Sequence, residues 1–452
     1  MLEGLEISVV KLSELESEIR IDAEVYNKTY VKGLHLIKSK KFTTFEKESK
    51  IIKKGIFNIN SSHYTSKGIP FIRISNLKNM MLDENEMVFI SEFDNDVNKK
   101  TELRYGDIIL SKTAIPAASI VSVPVCNSSQ DTVVIKLKDN SCLDSFFVVV
   151  FLNSKYGLEQ MRKRFTGNIQ SHLNLDECKT KILIPIFSDN FQSQIESMVK
   201  SAHAKLEESK SLYSQAEDLL LGELGLKDWR PKNTLHTTKK FSDFAQSGRL
   251  DAEYYQPKYD DLFERLQKVD CKTIKEIQII NYRGFQPEYV ENGKIDVINS
   301  KHILEDGLDY DNFEKTDEVS FNNAVRAQVK YGDILTYTTG ANIGRTQVYL
   351  SEKKAMASNH VNMLRVKDVN PIYLALVLNS KIGRMQTEKS STGSAQVELY
   401  PDDLASFIVP ILPEAIQTKI ASLIQQSFEC KAQSKQLLED AKRMVESEIE
   451  KN

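Results

Sequence analysis

Phe191 to Leu224 reads FQSQIESMVKSAHAKLEESKSLYSQAEDLLLGEL, and the spacing of its apolar residues decides the fold. Ile195, Met198, Val199, Ala202, Leu206, Leu212, Tyr213, Ala216, Leu219 and Leu220 return at a helical period, with Glu, Lys and Ser on the other face. The spacing predicts one amphipathic helix. At ~1.5 Å per residue it runs about 50 Å, more than a small domain needs to cover its own core. Pro413 to Ile449 repeats the pattern through Ile420, Leu423, Ile424, Leu437, Leu438, Ala441, Met444, Val445 and Ile449. Two such struts, each offering an apolar stripe to the other in coiled-coil fashion, imply two matching halves.

The halves are visible as an internal repeat. Arg20-Ile21-Asp22-Ala23-Glu24-Val25-Tyr26 returns as Arg249-Leu250-Asp251-Ala252-Glu253-Tyr254-Tyr255. RYGDIIL at Arg104 to Leu110 returns as KYGDILT at Lys330 to Thr336, and Leu152-Asn153-Ser154-Lys155 as Leu378-Asn379-Ser380-Lys381. Thr166-Gly167 is matched by Thr392-Gly393, and Ile184-Pro185 by Val409-Pro410, always in the same order. The organisation predicted is a domain over 1–188, a long helix over 189–226, a linker over 227–238, a second domain over 239–411 and a second long helix over 412–452. Short apolar runs such as Pro70 to Ile74, Thr132 to Leu137 and His360 to Val366 read as strands, and Ser145 to Arg164 and Pro371 to Thr387 as single helices. The fold class is α+β: two similar globular domains, each with a mostly antiparallel or mixed sheet, joined by two long antiparallel helices in a pseudo-twofold arrangement.

Sixty basic and sixty-three acidic residues in 452 give a formal charge of −3, which argues against nucleic-acid binding by a general positive field but leaves room for a local basic face. Hydrophobic residues at 41% and charged residues at 27% fit a globular chain. No apolar run approaches the ~20 residues of a membrane span, and the N-terminus lacks the basic start and apolar core of a signal peptide, so a cytoplasmic location is expected. The five cysteines form no C-x-x-C pair and the seven histidines no H-x-H or H-E-x-x-H, so no metal site is expected.

Three stretches imitate catalytic motifs and fail on chemistry. Asn370-Pro371-Ile372-Tyr373 lacks the second Pro of an amino-group methyltransferase motif, its repeat reads Asp144-Ser145-Phe146-Phe147, and no F-x-G-x-G loop accompanies it. Asn370 and Asp144 read instead as helix N-caps. Pro401-Asp402 with Glu429-Cys430-Lys431 could be forced into a nuclease pattern, but its E-x-K lies inside the second strut. Gly340 to Arg345 lacks the Lys-Ser/Thr ending of a phosphate loop and reads as a turn from which Asn342 and Arg345 point outward. Asp107 and Asp333, each after Tyr-Gly, read as turn residues ahead of a strand.

Binding chemistry remains. Arg164 leads into Thr166, Gly167, Asn168, Gln170, Ser171 and His172, and the second half offers Ser391, Thr392, Gly393, Ser394 and Gln396 at the same place. A basic helix end running into a loop rich in Gly, Ser and amides suits phosphate contact by N–H groups and base-edge contact by Asn or Gln. Lys112, Thr113, Lys301, His302, Thr338, Gly340, Asn342, Arg345, Asn359 and His360 are further candidate DNA-binding residues at strand ends and turns.

The repeated R-x-D-A-E-x-Y segment, the Y-G-D-I turn and strand, the T-G loop before an (I/V)-P step and the closing helix together resemble the specificity subunit of type I restriction-modification systems. Leu412-Pro413-Glu414 with Gln417 resembles that family's L-P-x-x-E-Q helix start, from which the first half departs at Phe187 to Gln192. The resemblance implies two target recognition domains reading a split double-stranded DNA sequence, with the helices fixing the gap. It implies no catalysis in this chain: S-adenosylmethionine, ATP and Mg would belong to two methyltransferase subunits and to restriction (motor) subunits. A self-contained methyltransferase or nuclease, and an adaptor of another phage-defence system, are the alternatives.

Overall fold

In the computed structural model of the chain, residues 8–11, 26–78, 80–84, 87–113, 115–166, 172–231, 234, 236–391 and 397–451 are described, Thr166 and Gln246 by their backbone alone. The first copy of the R-x-D-A-E-x-Y segment up to Val25, and linker residues Lys232, Asn233 and Leu235, lie outside them. The chain divides into two compact units, Met1–Leu206 with Ala432–Asn452, and Glu207–Lys431.

The first unit holds two four-stranded sheets. One is antiparallel throughout, in the order Ser49–Lys54, Thr132–Leu137, Ile108–Ser111, Ala118–Ile120. The other runs Val88–Ile90, Ile69–Ile72, Val125–Ser128, Leu103–Arg104, with its central pair parallel. The strand at Thr132 shows how they pack. Val133 and Ile135 enter the larger core with the helices, while Val134 enters the core shared with Ile72 and Leu103. A strand covered on both faces needs no polar alternation, which is why Val133, Val134 and Ile135 follow one another without a polar residue between them.

The second unit repeats this plan. Gln278–Arg283, Val361–Val366, Ile334–Tyr337 and Thr346–Val348 form the antiparallel sheet, and Glu314–Thr316, Ile295–Ile298, Ala355–Ala357 and Gln328–Val329 the mixed one. Even the bulge recurs, at Ser49/Ile51 and Gln278/Ile280. The expectation of one sheet per domain was too small: the strands of the second sheet are two to four residues long, too short to declare a period.

The helix predicted over Ser145 to Arg164 is two helices, Ser145–Asn153 and Lys155–Lys163, and that over Pro371 to Thr387 is Pro371–Asn379 and Lys381–Ser390. Ser154 and Ser380, both extended, make the break. Each accepts an N–H of the second helix at Oγ and gives that hydroxyl to a carbonyl of the first, Phe151 or Val377. Gly157 and Gly383 let the two helices meet, since a Cβ there would lie 2.1 Å and 2.2 Å from the oxygens of Phe151 and Leu378.

Asp144 and Asn370 are N-caps, as their positions predict: Asp144 Oδ1 accepts from Phe147 N–H at 2.9 Å, and Asn370 Oδ1 from Ile372 N–H at 2.9 Å. Asn370→Ala should lower the stability of the second unit by about 1 kcal/mol, read as a shift in denaturation midpoint, and Asn370→Ser should recover most of it. Asp107 and Asp333 close the Y-G-D turns by accepting the N–H of Arg104 (2.8 Å) and Lys330 (2.7 Å).

The two struts are the helices Asp189–Glu223 and Glu414–Glu450. In the first unit Ile195 and Val199 share a core with Ala441, Val445 and Ile449, and Ser434 Oγ donates to Ala202 O at 2.6 Å. In the second, Ala216 and Leu220 share a core with Ile420, Ala421 and Ile424, and Ser427 Oγ donates to Ser209 O at 2.8 Å. Gln192 and Gln417, both buried, fasten the helix starts identically: Asp144 N–H donates to Gln192 Oε1 at 2.8 Å, and Asn370 N–H to Gln417 Oε1 at 2.9 Å. The first half's departure from the L-P-x-x-E-Q pattern therefore leaves its functional glutamine in place. Among the described residues no helix is long and apolar enough to cross a membrane.

Candidate nucleic-acid interface

In the second unit four chain segments meet at one end of the antiparallel sheet. After Arg283 the chain turns at Gly284, whose N–H donates to Val361 O at 3.0 Å, and Phe285 N–H donates to Ala357 O at 2.9 Å. A Cβ on Gly284 would lie 2.1 Å from that Ala357 oxygen, so only glycine allows the approach. Thr338 N–H donates to His360 O at 3.2 Å, Leu399 N–H to Thr338 O at 2.9 Å, and Gly340 N–H to Val397 O at 3.1 Å. Residues 283–286, 338–342, 358–360 and 397–400 thus form one edge.

The first unit builds the same edge with the same bonds. Gly55 N–H donates to Thr132 O at 3.1 Å, Lys112 N–H to Asp131 O at 2.8 Å, and Leu173 N–H to Lys112 O at 2.7 Å. The Thr113–His172 bridge stands where Thr339–Glu398 stands in the second unit. The backbone frame is held constant while the outward residues differ. Where the first unit has Lys54, Asp131, His172 and Asn174, the second has Arg283, His360, Glu398 and Tyr400.

Their surroundings differ too. Phe57 and Ile115, each 77% exposed, give the first edge an apolar character, with exposed His172 and half-buried Lys112 beside them. The second edge exposes Asn342, Asn359, His360, Phe285 and Tyr400. There the Arg283 guanidinium lies 5.0 Å from the Tyr400 ring centroid and 3.7 Å from Glu398. A hydrogen bond from the Tyr400 hydroxyl and the charge of Arg283 hold the Glu398 carboxyl below its ordinary range. The edge is therefore zwitterionic, with an aromatic face and several amide and imidazole groups, a set suited to phosphate contact, base-edge hydrogen bonding and stacking.

Several residues selected from sequence lie elsewhere. The Arg164 side chain is 2% exposed and donates to Glu177 at 3.3 Å and to Lys181 O at 3.4 Å. It fastens the start of the loop to the helix Leu175–Lys181 and does not face solvent. Thr113 and Thr338 are buried, and the Thr338 hydroxyl donates to His360 O at 3.0 Å, so both support the edge from behind. His302 is buried after the strand Ile295–Ile298, where its Nδ1 accepts from Asn299 N–H at 2.9 Å and its Nε2 approaches Glu314 at 3.1 Å. Burial pushes its pKa down, against the pull of Glu314. Lys301, though exposed, is paired with the same Glu314. Arg345 does not point freely outward; it pairs with Glu305 at 3.3 Å. Gly340 sits at the edge with φ +111°, and Ser391 gives its hydroxyl to Glu388 O at 3.2 Å. Gly167, Asn168, Gln170, Ser171, Thr392, Gly393, Ser394 and Gln396 lie outside the described residues.

The catalytic imitations do not assemble. Pro401 and Asp402 open the short helix Pro401–Ala405, whereas Lys431, inside the second strut, pairs with Asp306 at 2.6 Å. Among the described residues no group of three or more His, Cys, Asp or Glu side chains is placed to hold a metal ion.

Residues 267–443 match the family described as the type I restriction modification DNA specificity domain. The matched segment contains every strand of the second unit's two sheets, and the first unit repeats their order, bulge and edge bonds. The second unit's two sheets are therefore those of a type I restriction modification DNA specificity domain. The matched domain's description is one of DNA specificity in type I restriction modification. Among solved structures the chain is similar to the S subunit of a type I restriction-modification system from M. genitalium, at 14% identity over 90% of this chain and 94% of that one, with a TM-score of 0.42. It is also similar to the HsdS subunit from Thermoanaerobacter tengcongensis, at 13% identity over 91% and 95%, with a TM-score of 0.28. No curated protein matches it.

The edge residues that sequence reasoning missed are Lys54, Phe57, Ile115, Arg283, Phe285 and Tyr400. A signal was present. Lys54-Gly55 and Arg283-Gly284 repeat at the same shift as the R-x-D-A-E-x-Y segment, so a basic residue before a close-approach glycine occurs in both halves.

Proposed function

We propose that each unit reads one half of a split double-stranded DNA target with its four-segment edge, and that the two long helices set the gap between the halves. The observation that carries this reading is the duplicated backbone frame with exchanged outward side chains. A constant frame presents different side chains in the same pose, which suits two different half-sites on one duplex. Of the residues selected from sequence, Lys112, His172, Gly340, Asn342, Asn359 and His360 are the contact residues proposed here, with the loops around Thr166 and Ser391.

The chain is non-catalytic in this reading and acts in the cytoplasm. Adenine methylation belongs to two methyltransferase subunits using S-adenosylmethionine, and cleavage to restriction subunits using ATP and Mg. The near-neutral charge of −3 agrees with DNA enclosed jointly with basic partners rather than held by this chain's field alone. Mapping methylated adenines in the host genome with and without the gene tests it. Two short motifs separated by a fixed run of unspecified bases should vanish on deletion; loss of a contiguous motif, or of none, refutes it.

A further inference from the structure

Of the residues in the four segments of the second edge, Glu398 alone is acidic. Its backbone is pinned on both sides: Leu399 N–H donates to Thr338 O at 2.9 Å, Gly340 N–H to Val397 O at 3.1 Å, and Glu398 itself bridges Thr339. Leu399 is 1% exposed in the core, so alternation along this extended stretch turns Glu398 away from it. The Glu398 carboxylate lies 3.7 Å from Arg283 Nη2, which also donates to Leu399 O at 3.2 Å. Neither side chain is sealed off, Arg283 being 25% and Glu398 27% exposed. The edge therefore presents a guanidinium and a carboxylate side by side on a fixed backbone.

Phosphate contact accounts for the guanidinium and not for the carboxylate. An acceptor-only group facing a polyanion is unfavourable unless a donor meets it, and the donors of the major groove are the amino groups of cytosine and adenine. Adenine sets its N7 acceptor beside that amino group, where it repels a carboxylate; cytosine carries no acceptor there. Guanine, the partner of cytosine, offers O6 and N7, the acceptors that suit a guanidinium fork. One C·G pair thus supplies a donor for Glu398 and, next to it, acceptors for Arg283.

We infer that Arg283 and Glu398 together read a single C·G base pair from the major groove, Glu398 accepting from cytosine N4 and Arg283 donating to the guanine acceptors. The inference rests on the reading that the second edge selects one half-site. Tyr400 is a positioning residue for the pair: its hydroxyl donates to Glu398, and its ring centroid lies 5.0 Å from the Arg283 guanidinium. The first unit has Lys54 and His172 at the two equivalent positions, so the C·G requirement set by this pair belongs to one half-site.

The test uses the full chain in its host complex. The methylated motif is mapped, and affinity is then measured for duplexes in which each base pair of each half-site is changed in turn. The wild-type motif should contain, in one half-site, a C·G pair whose replacement costs about tenfold or more. Glu398→Gln, which sets a donor beside an acceptor as adenine N6 and N7 require, should lose about tenfold in preference for C·G at that pair and admit A·T there. Arg283→Lys, which keeps the charge and loses the fork, should relax preference at the same pair by about tenfold. Every other base pair, and the whole of the other half-site, should read as before. Effects of the two variants at different base pairs, a uniform change across all sequences such as a phosphate contact gives, or two half-sites without a C·G pair overturns the inference. An unchanged base preference with a lowered denaturation midpoint would make the pair structural and overturns it too. Absence of any split motif in the wild type would refute the underlying reading instead.

Discussion

Inserting one heptad into each long helix is expected to abolish recognition of the natural target and to create recognition of one whose gap is about three base pairs longer. Seven residues add about 10.5 Å of helix, or about three steps of 3.4 Å, and return the apolar stripe to within ~20° of its former face. The insertions belong between Ala202 and Ser209 on one helix and between Ser427 and Ser434 on the other. Serine hydroxyls bond the partner helix at both ends of these spans, and each span is one heptad. An insertion near Lys210 in one helix alone would put that helix out of register with its partner, either where Ala216 and Leu220 meet Ile420 and Ile424 or where Ser209 and Ala202 meet Ser427 and Ser434. The single insertion should therefore unfold one unit's helix pair, whereas the matched pair should leave both half-sites intact. Methylated-adenine mapping of the two strains separates these outcomes. Changed half-sites at an unchanged gap would remove the helices from the role of spacer.

The struts were legible because their signal is long: ten positions at one period leave no competing reading for Phe191 to Leu224. The duplication was legible because functional and structural glycines, caps and turns recur in order, and Asp107, Asp333, Asp144 and Asn370 act as their local chemistry requires. The helix breaks at Ser154 and Ser380 escaped because a serine can serve as a cap only where something removes the adjacent turn. That something is the approach of Gly157 and Gly383 to a carbonyl of the preceding helix, a tertiary fact. The site was less legible still. Arg164 follows Arg162 and Lys163 in sequence, and nothing in the string distinguishes the one that Glu177 draws inward. Thr338 and His302 were selected for donor chemistry, but both are buried, the Thr338 hydroxyl on His360 O and the His302 ring beside Glu314. Phe57 and Ile115 were passed over for the opposite reason, because apolar residues beside strands are ordinarily core.

Replacing Phe57 and Ile115 together with Ala should weaken binding at the first unit's half-site by about ten- to a hundredfold, with no change in the dependence of binding on salt. Both side chains are 77% exposed, and both loops lean on the same turn: Ile56 N–H donates to Ser128 O at 2.7 Å and Lys112 N–H to Asp131 O at 2.8 Å. Water gains nothing from two exposed apolar groups on one edge, so contact with a thymine methyl or an unstacked base is the favourable use of them, worth about 1 kcal/mol each, the low end for stacking or base discrimination. Apolar contacts release no counterions, which keeps the slope of log affinity against log salt constant. The second edge should behave differently. Asn359→Ala with His360→Ala removes exposed hydrogen-bonding groups and should relax base preference at the other half-site by about tenfold per base lost, again leaving the slope alone. Lys112→Ala, if its ammonium meets a phosphate, should weaken binding to all sequences equally and lower the slope by about 0.9. Titrations of the assembled complex against duplexes altered at one half-site, at two salt concentrations, read all three effects. A salt slope that falls with Phe57 and Ile115, or a loss shared equally by both half-sites, would mean that the first edge does not read bases through these side chains.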